Sequence, residues 1–222
     1  MGGAAERLAL KATGKTETLT GTVRITASVV VANLVLPAMI ARLRRAEPLI
    51  QIEIVASDQS QNLLRRDADI ALRMFDPTQK SLLARRLGET ALGLYGATTY
   101  LDQRGRPLSM AELIGHDVIG FDRDDAMLRG YAANGFHVTR EQFPVRCDDQ
   151  MVDWHLLLAG AGLGFAQCRL ADARPELERV PLGMSLPALP VWLVLHEDVR
   201  GNARIRRVSD FIASAMTAWL RT

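Results

Sequence analysis

Between Thr20 and Arg73 the sequence alternates strand-like and helix-like patterns in the order strand, helix, strand, helix, strand. Thr22–Ala27 (TVRITA) and Gln51–Ala56 (QIEIVA) alternate apolar and polar residues, and Asp69–Leu72 (DIAL) is a short apolar run with a charge at its head. Antiparallel neighbours need only a turn between them, so strands separated by helical stretches predict a parallel sheet. In an open parallel sheet, ligands sit beyond the carboxyl ends of the strands. That rule puts Ser28, Ser57 to Gln59 and Arg73 to Phe75 on one rim and makes a ligand cleft the leading expectation.

Ser28 follows the first strand and is a candidate helix N-cap. Pro37 suits a first helical turn and not an interior, so it is expected to restart a second helical stretch, with Met39, Ile40 and Leu43 inward and Arg42, Arg44 and Arg45 on a solvated face. Pro48 ends that stretch. Residues 1–18, rich in Ala, Lys, Thr and Glu, read as a plain linker or the frayed end of a connecting helix, with the folded part starting near Leu19. Leu87–Ala97 is extended, punctuated by glycine, and reads as a crossover. Beyond it, Ser109 to Glu112 fits a capping box with a helix to about Ile114. Strands are expected at Val118–Phe121, Pro144–Cys147 and Gly164–Cys168, and a helix over Asp148–Ala159 stopped by Gly160. Asp122 to Phe136 is read as cleft wall or surface loop. Val191–His196 (VWLVLH) is an apolar strand. Arg204–Leu220 is an amphipathic helix with Ile205, Val208, Phe211, Ile212, Ala215, Met216 and Trp219 on one face. A last strand leading into a terminal helix suggests that the chain returns to its first lobe.

With 222 residues the chain has material for two small lobes or one larger domain. A net charge of +2 is too small for the footprint of a nucleic-acid binder. Cys147 and Cys168 make no disulfide framework, and no charged-then-apolar leader opens the sequence, which favours a reduced cytoplasmic setting. The longest apolar stretch, around Val29–Ile40, is interrupted by Asn33 and Pro37 and is shorter than the roughly 20 residues that a membrane span needs.

Few residues suggest chemistry. Gly160-Ala161-Gly162-Leu163-Gly164 resembles a phosphate-cradling loop in composition, but it closes a helix and opens a strand, the reverse of a dinucleotide fingerprint. A helix stop with close packing is the better reading. His116, His137, His155 and His196 share no metal-ligand spacing with either cysteine, so no metal or cofactor is expected. Nucleophile elbow, P-loop and zinc-protease motifs are all missing, and no catalytic residue is proposed. Asp148 and Asp149 open a helix, where carboxylates are favourable simply because they meet its positive end. Cys147 and Cys168 are expected to be reduced thiols; whether they approach each other is open from sequence.

Taken in order, GTVRITAS at Gly21 to Ser28, Leu36-Pro37, Ala46-Glu47-Pro48 leading into IQIEIV, LLRRDADIALR at Leu63 to Arg73 and AGAGLGF at Ala159 to Phe165 resemble the effector-binding domain of LysR-type transcriptional regulators over nearly all of residues 19–222. The resemblance implies an α/β, periplasmic-binding-protein type 2-like fold of two Rossmann-like subdomains joined by two crossover strands, with a small molecule between them. Subdomain I is expected at 19–95 and 194–222, subdomain II at 96–193, and a linker remnant at 1–18. The family also implies a homodimer or homotetramer in a bacterial cytoplasm. Its members carry an N-terminal winged helix-turn-helix and a long linker helix, for which there is no room before Leu19. The expectation is therefore the sensory half of a regulator, contacting DNA only through a segment outside this sequence. A periplasmic-type solute-binding protein is the alternative; an enzyme on the same fold and a purely oligomerising module are further rivals.

The resemblance also implies a ligand set. The stretch matching the family's effector-carboxylate site is Ser28-Val29-Val30, where Ser28 keeps a hydroxyl and the two valines offer amides and apolar surface. Gln59, Phe121, Asp148 and Gln150 match cleft positions, and Arg73 joins them from the rim. An ionised, buried Asp148 would repel an anion, which predicts a neutral, partly apolar or cationic effector unless Asp148 is engaged by its own helix amides or by Arg146.

Overall fold

The computed structural model describes residues 19–59, 68–77, 82–181, 186–196 and 201–221. The first strand, β1 (Gly21–Ala27), runs parallel to β2 (Ile50–Ala56) on one side and to β3 (Ile70–Arg73) on the other. The expected parallel arrangement is therefore present. Two further strands extend the sheet: β4 (Leu82–Thr90), and β10 (Leu189–His196), which lies between β3 and β4 and is antiparallel to both. The sheet order is β2-β1-β3-β10-β4. Burial on both faces explains the run Ile25, Thr26, Ala27 and the fully apolar Ile70 to Leu72, all inaccessible to solvent.

Helical backbone begins at Val29, passes through a π turn at Val31–Val35 and continues as α1 (Leu36–Ala46). Pro37 thus lies in the first turn of α1, as its residue type predicts, but the helical backbone ahead of it is continuous and does not break. Leu36 N–H donates to Val31 O, five residues back, and this widened turn accommodates a proline that can neither donate nor tolerate the carbonyl four residues behind it. Met39 and Leu43 face the core and Arg42, Arg44 and Arg45 face solvent, as the periodicity predicts.

The chain leaves this sheet at Thr90 and enters a second one at Leu92. There, β5 (Leu92–Ala97) is flanked by two antiparallel strands, β8 (Leu163–Gln167) and β9 (Leu177–Val180). A short parallel pair, β6 (Ile119–Gly120) and β7 (Val145–Arg146), joins this sheet through a bridge between Val118 and Leu163. Around these strands lie α2 (Thr98–Arg104), α3 (Met110–Leu113), α4 (Ala126–Ala133), α5 (Gln150–Leu158) and α6 (Cys168–Ala171). Ser109 caps α3 by accepting from Glu112 N–H at 3.2 Å, and the Glu112 carboxylate reaches back to Leu108 N–H at 2.9 Å, close to the predicted capping box.

Three sequence expectations need correction in this lobe. The strand over Gly164–Cys168 stops at Gln167, because Cys168 opens α6. The strand over Val118–Phe121 is only Ile119–Gly120, which leaves Phe121 in the loop beyond. Asp122 to Phe136 is not a plain loop: it holds α4, which buries Tyr131 against Phe143 with ring centroids 6.0 Å apart.

Gly160 adopts φ 75°, a left-handed conformation that stops α5 where the sequence predicts, since a Cβ is disfavoured there. Finally, α7 (Ala203–Arg221) returns to the first sheet and buries Ile205, Val208, Ile212, Ala215 and Met216, with Phe211 and Trp219 at the margin. Each sheet has its own hydrophobic core. The cores touch through Leu34 of the π turn, which packs on the second, and through Leu170 of α6, which packs on both.

Candidate functional site

The carboxyl ends of β1, β2 and β3 are stitched together. Ser28 N–H donates to Leu72 O at 3.2 Å, Ser57 N–H to Ala27 O at 2.9 Å, and Ala32 N–H returns to Ser28 O at 2.9 Å to start the helix. Ser28 is 4% exposed, while Val29 and Val30 are half-buried in the first helical turn. Above them Asp58 Oδ1 accepts Val29 N–H at 3.2 Å, so a carboxylate from the β2 loop sits on the amino end of the helix.

Arg73, the last residue of β3, is only 3% exposed. Its Nη2 donates to Thr26 Oγ1 at 2.9 Å and to Gln59 O at 3.3 Å, and its Nη1 to Leu72 O at 3.3 Å. Among the described residues Nε–H has no hydrogen-bond partner. Burial lowers the guanidinium pKa from its ordinary value, and the neighbouring Asp58 carboxylate opposes that shift. The group nevertheless stays charged, as arginine does in proteins.

On the second lobe, β6 and β7 present their carboxyl ends side by side, tied by Cys147 N–H to Gly120 O at 2.9 Å. Phe121 is half-buried beside them, and Gln150 is exposed as the first residue of α5. The two aspartates have separate tasks. Asp149 caps α5, accepting Met151 N–H at 2.8 Å and Val152 N–H at 3.1 Å. Asp148 is exposed and accepts the amides of Asp122, Arg123 and Asp124 at 2.9, 3.1 and 3.4 Å. These amides, that of Arg123 foremost, hold its pKa below the ordinary carboxylate value. The sequence expectation of an uncompensated, buried Asp148 is therefore corrected: the charge is exposed, and it is engaged by loop amides, neither by its own helix nor by Arg146.

Ser28, Val29, Gln59 and Arg73 thus join one bonded cluster, and Phe121 and Asp148 flank a second on the other lobe. Two contributors, Thr26 and Gln167, escaped the sequence reading, and a third, Asp58, was placed on the rim without a role. Gln167 ends β8 and is 6% exposed; its Nε2 donates to the sulfur of Met74 at 3.4 Å, linking the lobes, and its Oε1 has no partner among the described residues. The available signal was a polar residue closing an apolar strand, the same that marks Ser28 and Arg73. A cavity of about 440 Å³ lies elsewhere, beside the crossover, lined by Thr90, Ala91, Cys168, Asp172 and Leu220 among others. It shares no residue with the strand-end cluster.

Among the described residues no group of three His, Cys, Asp or Glu side chains could hold a metal ion, and Cys147 and Cys168 are free thiols. One titratable group stands out. Asp153, on α5, has its pKa pushed up to about 7 from 3.8, first by burial and then by Asp149 and Asp148. A raised acid pKa in the fold means that the native state holds a proton the unfolded chain gives up, so stability falls as pH rises from about 4 towards 7 and the full cost persists above that. Asp153→Asn is expected to remove this decline and to stabilise the domain at pH 8 by roughly 1–2 kcal/mol, after allowing for solvent screening of a partly exposed group. Urea melts of both proteins at pH 5 and pH 8 check this; parallel pH profiles would contradict it.

Two lobes on separate sheets, crossed twice by the chain and in contact where Gln167 at the end of β8 meets Met74 beyond β3, define a ligand-binding domain of the periplasmic-binding-protein type 2-like class. The chain belongs to the LysR substrate binding domain family, whose model matches residues 16–217. It is similar to the HTH-type transcriptional regulator CrgA of Neisseria meningitidis, 34% identical over 86 residues, 39% of this chain and 29% of the relative. It is also similar to the HTH-type transcriptional activator AaeR of Escherichia coli K12, 28% identical over 171 residues, 75% of this chain and 54% of the relative. The chain therefore spans about a third to a half of the curated relatives that it matches. In fold it resembles the regulatory domain of CrgA, with a TM-score of 0.79 at 24% identity over 88% of this chain and 98% of that one. The regulatory domain of AphB from Vibrio vulnificus gives 0.70 at 15% identity, covering 88% and 99%.

Proposed function

We propose that this chain is the effector-sensing domain of a LysR-type DNA-binding transcriptional regulator. A small molecule binds between the lobes, bridging the strand-end clusters around Arg73 and Asp148, and shifts a homo-oligomer between arrangements. The observation that carries the reading is the pair of buried polar groups, Arg73 and Gln167, on facing lobes of a family ligand-binding domain. Ser28, Val29, Val30, Gln59, Arg73, Phe121, Asp148 and Gln150 are the proposed ligand residues. A ligand shifts the lobe equilibrium only by its differential affinity for the two arrangements, commonly about 1–3 kcal/mol.

DNA recognition is assigned to a part of the protein outside this sequence, the setting to the cytoplasm and the assembly to a homodimer or homotetramer. The relatives' names, transcriptional regulator and transcriptional activator, favour a sensor over a periplasmic solute carrier or an enzyme. Among the described residues no helix is long and apolar enough to cross a membrane. The change of sheet at Ala91, and the return between Val180 and Leu189, support subdomain borders at those points, a few residues before the 95/96 and 193/194 borders expected from sequence.

A thermal-shift screen against a few hundred metabolites tests the reading. A ligand at 100 times its dissociation constant is expected to stabilise the domain by about 2.7 kcal/mol, and Ser28→Ala or Asp148→Ala to weaken the shift. Hits unaffected by either change would move the site; a broad screen without hits would leave assembly as the better account.

A further inference from the structure

In a cleft of this kind, anions are best held where backbone N–H groups point outward without partners, at the amino end of a helix or in a loop of successive amides. At both such places the chain's own carboxylates already engage amides. On the first lobe Asp58 Oδ1 takes Val29 N–H at the start of the helical run to Ala46. On the second lobe Asp148 takes the amides of residues 122–124, and Asp149 takes those that open α5. The cation beside the first seat, Arg73, already has Asp58 as its counter-charge, and its terminal nitrogens are bonded to Thr26, Gln59 and Leu72.

Among the described residues these bonds leave over one buried donor, Nε–H of Arg73, and one buried acceptor, Oε1 of Gln167, each in a side chain more than nine-tenths buried and each without a partner there. They belong to opposite lobes, which meet where Gln167 touches Met74, the residue after Arg73. Buried, unpaired polar atoms are costly, and a ligand that pairs both is rewarded for bringing them under one group.

We propose that Asp58 is a built-in occupant of the first-lobe anion seat, and that the cleft consequently selects an effector that is uncharged there and offers an acceptor to Arg73 and a donor to Gln167, as a carboxamide does. The proposal rests on the sensing function above and deepens it to a ligand class. A carboxylate effector has to displace Asp58 or bring a second negative charge beside it, and either lowers its affinity. Opening the Gln167–Met74 contact lets the neutral group enter, and closing over it couples occupancy to lobe position.

Acetate and acetamide, matched in size and differing in charge, are the probes, read by amide and side-chain NMR shifts of the isotope-labelled domain. In the wild type, acetamide is expected to shift the Arg73 Nε–H and Gln167 side-chain signals, and acetate to produce no saturable shift at Val29 N–H. In Asp58→Ala, acetate is expected to bind at Val29 at least tenfold more tightly than in the wild type. Should that variant lose its dispersed spectrum, Asp58→Asn, which keeps the shape and removes the charge, carries the same comparison. Equal acetate binding at Val29 in wild type and variant overturns the proposal, as does an absence of acetate binding in the folded variants. Arg73 and Gln167 signals that acetamide leaves unmoved overturn the ligand class. A metabolite screen without hits counts against the sensing function alone, because the acetate comparison needs no natural effector.

Discussion

Arg73→Ala is expected to destabilise the domain by about 3–4 kcal/mol, the range for removing one member of a buried charged cluster. Three losses combine. Thr26 Oγ1, itself fully buried, loses its donor at 2.9 Å. Asp58 loses the cation that balances it at the helix end. A long side chain also vanishes from a site 3% exposed, leaving space that the flanking β1 and β10 strands cannot collapse into. Arg73→Met separates these terms by restoring volume without charge. If packing dominates, methionine recovers most of the stability; if the polar cluster dominates, it stays within about 1 kcal/mol of alanine. Urea denaturation with an unchanged m-value measures both, and an alanine effect below 1 kcal/mol would show that the cluster is not a stabilising element.

Gly162→Val is expected to cost about 3 kcal/mol, because the clash is with backbone. A Cβ at residue 162 would lie 2.6 Å from Asp117 O, the carbonyl that accepts Leu163 N–H at 2.8 Å. That bond and the Val118–Leu163 bridge attach the β6–β7 pair, and with it the Asp148 loop, to the three-stranded sheet. Gly164→Ala is the internal control. The nearest atoms to its Cβ would be Leu157 side-chain carbons at 3.6 Å, ordinary contact, so less than about 1 kcal/mol is expected. Comparable losses from the two substitutions would mean that the strand, not the close approach at Gly162, sets the requirement for small residues.

Periodicity made much of this architecture legible. The alternation in TVRITA and QIEIVA located β1 and β2 to within a residue, and the apolar stripe from Ile205 to Trp219 located α7. Both depend only on which residues face a core. Features set by hydrogen-bond geometry were not legible. Pro37 announced a helix start, yet the π turn ahead of it depends on a bond from Leu36 to Val31 that no residue type encodes. Asp148 and Asp149 are chemically identical neighbours, and only the path of the 122–124 loop sends one to that loop while the other caps α5. In the candidate site, Ser28 and Arg73 were visible as polar residues ending apolar strands. Gln167 carried the same mark but lay inside a strand drawn one residue too far along the chain, and Asp58 was on the predicted rim with nothing in its type to single it out from the polar residues beside it.

The position of β10 has a consequence for how the chain is made. β3 lies between β1 and β10 in the first sheet, so until residues 189–196 have emerged from the ribosome, Ile70 to Arg73 form an exposed, wholly apolar edge apart from the terminal arginine. The second lobe, by contrast, is drawn from one uninterrupted stretch, Leu92 to Val180, and can close while the first still waits for its last strand and for α7. Synthesis therefore presents a finished second lobe tethered to a half-built first one, with an open strand edge suited to aggregation or chaperone capture. A nascent chain halted after Val180 is expected to protect β5 and β8 from proteolysis while leaving β1 to β3 open to it.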